Sequence, residues 1–269
     1  MDRTLSAVLA VLVVASVIFL VGISFSAYVG ITYRATLSST YEYRVTIATD
    51  EPITNVTLFL PVPESRSGPS APLEGVGAGK LAGLPSGWNI ALLGSQKMTM
   101  LEVTAGEMGP TPPGEPYLLS LTAHVPGPIH TEDPASGDPV LNPSAERRPF
   151  LCIETVAGAS PDMGCEMYES PVYADFTSPG NARLSIFTSL VGRNSWDVFG
   201  PSSNEYQDGI QASFTRYTQG WQQGSGMLIT GIGDYGIDPW LTGGGTPDTG
   251  RGTTGLRITP FGRAGEGTG

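Results

Sequence analysis

The strongest pattern in the chain is a run of apolar residues at its start, followed by short alternating stretches broken by glycine and proline. From 5 to 28 the sequence reads LSAVLAVLVVASVIFLVGISFSAY, 24 residues without a charge. A helix of that length extends roughly 36 Å, enough to cross a hydrocarbon core of about 30 Å. The run continues to Ile31, and Arg34 ends it. A cleaved secretory signal has a shorter apolar core, about 7–15 residues, before small residues such as Ser24 and Ser26. The length therefore predicts a retained signal-anchor over 5–31, a cytoplasmic stub at 1–4 and the bulk of the chain outside. Tyr28 and Tyr33 are expected at the headgroup level, with Arg34 among the lipid phosphates.

Beyond the anchor the period changes to two. In YEYRVTIAT (41–49), Tyr41, Tyr43, Val45 and Ile47 alternate with Glu42, Arg44 and Thr46, which predicts a half-buried strand. After a turn at Asp50, Glu51 and Pro52, Val56, Leu58 and Leu60 define the inner face of a second strand, with Asn55, Thr57 and Phe59 outward. The two are expected to pair as a hairpin. Strands are also predicted at 88–93 and 97–104 around a Gly94-Ser95-Gln96 turn, and at 117–125, with shorter candidates at 150–156, 171–176, 183–191, 211–217 and 227–232. Two long Pro/Gly-rich excursions, 61–86 and 126–149, and a shorter Pro/Gly stretch at 106–116 break the chain, and no periodicity survives over 126–149. The expected fold is all-β, an immunoglobulin-like sandwich of about ten strands with long loops over 32–241, and a Gly/Thr-rich tail over 242–269.

Composition narrows the function classes. The chain carries 14 Lys+Arg against 25 Asp+Glu, a net charge of −11. An acidic surface repels phosphates, so nucleic acid is not an expected partner. The expected location is the cell membrane, crossed once, with the lipid bilayer as one partner and cell-envelope proteins or glycans as others. Gly22, Ser26 and Gly30 recur every four residues and offer a small-residue face for helix–helix self-association.

Few residues suggest chemistry. Cys152 and Cys165 are the only cysteines, and an even pair in an oxidising compartment predicts a disulfide. Asn55-Val56-Thr57 is an N-glycosylation sequon on the outward side of its strand. His130, Glu132, Asp133 and Asp138 lie within one loop and could together ligate a metal, although their spacing does not match a calcium hand. No nucleophile elbow, zinc-protease helix or phosphate-binding loop occurs, so no catalytic residue and no cofactor is expected. Trp88, Trp196, Trp221 and Trp240 suit a sandwich core better than a sugar-stacking surface, which is the alternative. The favoured function is a cell-surface structural or interaction module, and its rival is an anchored metal-assisted hydrolase built on the His130 loop.

An apolar anchor followed by YEYRVTIATDEPITNVTLFLPVP and Gly/Pro-interrupted strands resembles membrane-anchored surface proteins of methanogenic archaea. The likeness covers residues 1–63. It implies a cell-surface setting and carries no activity or site residue with it.

Overall fold

The computed structural model describes residues 3–66, 68–94, 98–112, 114–151 and 163–234. The apolar run forms one helix, α1 (Arg3–Thr36), which extends past the expected membrane span at its C-terminal end. It contains a segment, Val8–Thr36, long and apolar enough to cross a membrane, and from 8 to 28 its side chains are exposed. Val29 and Tyr33, at the far end, are buried instead.

Ten strands follow: β1 (Ser38–Thr49), β2 (Ile53–Pro61), β3 (Trp88–Gly94), β4 (Thr99–Met108), β5 (Tyr117–Val125), β6 (Arg148–Phe150), β7 (Gly164–Thr177), β8 (Arg183–Asp197), β9 (Pro201–Thr215) and β10 (Gly220–Asp234). They make a single antiparallel sheet in the order β3-β4-β2-β7-β10-β9-β8-β1-β5, with β6 added to β7. Hydrogen bonding therefore does not divide into the two separate sheets of an immunoglobulin-like sandwich. The sheet curls, and its two arms face each other across one apolar core containing Tyr43, Val45 and Ile47 of β1 and Val56, Leu58 and Leu60 of β2. Tyr43 Oη spans that core to donate to Pro61 O at 3.0 Å.

The expected β1–β2 hairpin does not form. β1 pairs with β5 and β8, whereas β2 pairs with β4 and β7. The alternation placed the inner faces correctly, but period two says which side is buried and nothing about the neighbour. The turn at 50–52 carries the chain from one arm to the other. Asp50 is tied to β8 there, its carboxylate accepting from Arg183 N at 2.6 Å. β3 and β4 do pair antiparallel, as expected.

The first Pro/Gly-rich excursion packs against the core. Ser70 caps a short helix, α2 (Ala71–Gly77), accepting from Leu73 N at 3.3 Å, with proline in its first turn. Pro72, Gly75 and Val76 are buried, and a Cβ on Gly75 would come within 2.8 Å of Leu121 on β5. Ala82 then bridges to Ser120, so the segment leading into β3 also pairs with the outer edge of β5. Trp88 and Tyr117, one from each edge strand, bring their ring centroids to 4.9 Å. The curl is thus closed by side chains and a short bridge.

The helix is joined to the sheet through β8 and the β8–β9 turn. Tyr33 meets Trp196 edge-on at 5.7 Å, and Val29, Tyr33, Trp196 and Val198 form a small buried cluster. Tyr33, expected among lipid headgroups, therefore faces protein. Asp197 N donates to Thr36 Oγ1 at 3.0 Å, tying the end of the helix to the end of the strand.

Candidate functional site

The second excursion, 126–149, is held to the sheet by polar side chains and fills its interior with Ile129, Val140 and Leu141. The Asn194 amide on β8 matches the backbone of Ile129, accepting from its N–H and donating to its carbonyl, both at 2.8 Å. Farther along β9, the fully buried Asp208 accepts from Leu141 N at 2.8 Å and from Tyr168 Oη at 2.5 Å. Tyr206 Oη donates to Pro139 O. Burial pushes the Asp208 carboxyl up to about 6, while its hydrogen bonds to Tyr168 and to Leu141 N and the nearby Arg147 pull it down. Burial likewise raises the Tyr168 and Tyr206 phenols well above their usual range. These groups are saturated with local partners, which is the chemistry of a fastening.

The loop that suggested a metal brings together only part of its expected set. His130 Nδ1 lies 3.0 Å from Asp138 Oδ2, and Tyr41 Oη donates to Asp138 Oδ1 at 2.6 Å. Glu132 and Asp133 line a different cleft, with Glu166 and Cys165. Among the described residues no group of three or more His, Cys, Asp or Glu is arranged to hold a metal ion. The four-residue site needed by a metal-assisted hydrolase is not assembled, because Asp138 turns inward to Tyr41 and the backbone N–H of His130, which donates to it at 2.7 Å.

Asn55 is exposed and has φ +52°, at an irregularity between β2 and β7. Asparagine tolerates this left-handed backbone better than most residues. Cys165 is buried on β7 in register with Ile229. Cys152 lies outside the described residues, and so does the expected bridge. Trp240 and the expected tail are also outside them.

The remaining tryptophans divide. Trp88 and Trp196 are buried, as expected of a core, whereas Trp221 is 60 % exposed on the outer face of the sheet. It stands in register with Tyr173 of β7, which is in register with Phe59 of β2. The three rings form a platform across three strands, with centroids 5.0 Å apart for Phe59–Tyr173, 5.3 Å for Tyr173–Trp221 and 5.8 Å for Phe59–Trp221. Beside it runs a trough of about 510 Å³ whose lining includes Phe150, Phe187, Gln211, Ser213, Gln223 and Ser225. Aromatic plates flanked by amides and hydroxyls can stack on an apolar face while hydrogen-bonding its polar edge.

In the sequence a sugar-stacking surface is the less favoured reading of the tryptophans, and a further signal for this face lies in β2, whose alternation puts Phe59 outward, among polar residues. Trp221 stands in QGWQQGSG, which has no periodicity, so its outward direction was not legible. No protein-family profile, curated protein or solved structure matches the chain.

Proposed function

We propose that the protein is a single-pass, membrane-anchored, extracytoplasmic interaction module at the cell surface, and that the Phe59–Tyr173–Trp221 platform with its trough is the binding face. The observation that carries this reading is the position of an exposed aromatic platform relative to the anchor. Trp221 lies near the start of β10, while Asp234, at its end, pairs with Ser203 in the part of the sheet nearest α1. At about 3.3 Å per residue the platform stands roughly 40 Å along the sheet from the anchored end. Such a placement presents it to the envelope and away from lipid.

Cell-envelope glycans fit the face best, because pyranose rings pair an apolar C–H face with a rim of hydroxyls. The amides of Gln211 and Gln223 can both donate to and accept from such a rim. In this setting Cys152 and Cys165 meet the oxidising conditions that join cysteines, and exposed Asn55 offers a glycan acceptor. Alkylation before and after reduction tests the first. On α1, a Cβ placed at Gly22 would meet nothing within 4 Å, and Gly22 and Ser26 are exposed with Gly30 half-buried, a face available for self-association. An archaeal surface protein is consistent with the same reading.

The test is retention of the full-length protein, in detergent, on immobilised envelope polysaccharide. Retention lost in Trp221→Ala and kept in Tyr217→Ala supports the binding face. Equal retention of both variants, or none by the unaltered protein, removes it.

A further inference from the structure

We infer that the turn between β8 and β9 is a second membrane contact, with Phe199 seated in the interfacial layer of the bilayer beside Phe25 and Tyr28 of α1. The inference rests on α1 being the membrane span.

Length is the first argument. The charge-free stretch from Leu5 to Tyr33 is 29 residues, and as helix it is roughly 43 Å long, about 13 Å more than a hydrocarbon core needs. The surplus lies at the C-terminal end, where Val29 and Tyr33 are covered by Trp196 and Val198. Residues 8–28 of α1 are exposed. On the side turned to the sheet, exposure thus gives way to protein cover between Tyr28 and Val29, while Ile31 on the other side stays exposed.

The turn reaches down to that boundary. Phe199 lies nearly parallel to Phe25, with centroids 5.9 Å apart and planes 9° apart, and is 6.2 Å from Tyr28. Phe25 is eleven residues before Thr36, so Phe199 sits about 16 Å back along α1 from the junction. It remains 59 % exposed despite those contacts. The rest of its ring therefore faces whatever surrounds Phe25 and Tyr28.

The polar groups are placed to permit this. Asp197 is held at the Thr36 level by its backbone N–H, and its carboxylate accepts from Gly200 N at 3.1 Å. Gly200 has φ +137°, which closes the turn with a conformation favouring glycine. Arg34 is nine residues beyond Phe25, roughly 13 Å toward the sheet. The turn thus satisfies its carboxylate with its own backbone N–H and turns an aromatic ring to the exposed stretch of α1, the placement favoured for aromatic residues at a membrane–water interface.

The experiment places photoreactive p-benzoylphenylalanine at position 199, 18 or 217 of the full chain in phosphatidylcholine–phosphatidylglycerol vesicles and detects lipid adducts by mass after irradiation. All three native side chains are exposed, Phe199 at 59 %, Ile18 at 67 % and Tyr217 at 76 %. Lipid adducts at 18 and 199 and none at 217 are expected. Adducts at 18 but not at 199, or a protein–protein product at 199 in place of lipid, overturn the inference and leave the anchor standing. No adduct at 18 removes the anchor and the inference together.

Discussion

Tyr33, on the last turn of α1, packs edge-on against Trp196 of β8, with ring centroids 5.7 Å apart and planes at 64°. This contact makes the junction a packed interface and fixes the direction in which the sheet leaves the helix. Trp196→Ala removes a buried side chain from a small cluster, a change that costs about 3 kcal/mol or more in a well-packed site. The sheet's main core lies elsewhere, so the loss should appear locally. Limited proteolysis of the variant in vesicles should cut at 36–38, where the unaltered protein resists, while its circular dichroism keeps the strand signal.

Asp208 predicts a pH dependence of stability. Its folded carboxyl is raised to about 6 from 3.8, so between those values the folded state binds the extra proton. Stability from this group is therefore highest below about pH 4, and roughly 3 kcal/mol of it is lost as pH rises through about 6. Asp208→Asn removes that titration, and its amide oxygen can still accept from Leu141 N with the amide NH2 turned to Tyr168 Oη. The variant's melting temperature should change less between pH 4 and pH 7 than that of the unaltered protein. Equal pH slopes in the two proteins would contradict the assignment.

Two tyrosines lie over glycines of neighbouring strands. Gly192 is in register with Tyr206 and Gly226 with Tyr168, and a Cβ on Gly226 would sit 2.5 Å from the Tyr168 ring. Since these phenols hold Pro139 and Asp208, the rings cannot swing aside without releasing those partners. Gly192→Ala and Gly226→Ala should each destabilise by about 1–3 kcal/mol or more. Gly106→Ala on β4, with nothing within 4 Å, should stay within about 0.5 kcal/mol of the unaltered protein. Denaturant midpoints give the comparison.

Trp221→Ala should separate stability from binding. The ring contributes cross-strand contacts worth about 0.5–1.5 kcal/mol and covers no core. Its midpoint should fall little, while retention on envelope polysaccharide should be lost.

What could be read in advance follows from what periodicity encodes. The alternation of β1 and β5 and the charge-free run of α1 were legible because burial on one face writes itself directly into residue order. Helix α2 was not, because Gly75 and Gly77 hide a seven-residue helix whose start, Ser70 before Pro72, does carry the capping signature. On β9, Asn204, Glu205, Gln207 and Asp208 are all buried, so a central strand presents polar letters that mimic a surface. The 126–149 loop read as irregular for the complementary reason. Its order comes from Asn194 and Asp208, residues far along the chain whose carboxyl and amide groups replace the bonds a strand would have supplied. The aromatic platform was half legible, since an aromatic at an outward position marks it, whereas its completion by Tyr173 and Trp221 depends on strand order.

The crossing from β1 to β2 also governs how the protein is made. β1 pairs with β8 from Ser38–Ser195 to Thr49–Leu184, a separation of well over a hundred residues. Helix α1 emerges before the sheet, but β1 behind it lacks its two neighbours until β5 and β8 have been synthesised. At about 5–20 residues per second, that delay is of the order of ten seconds. The first strand must therefore wait unpaired behind α1, and the sheet can close only after most of the domain has emerged.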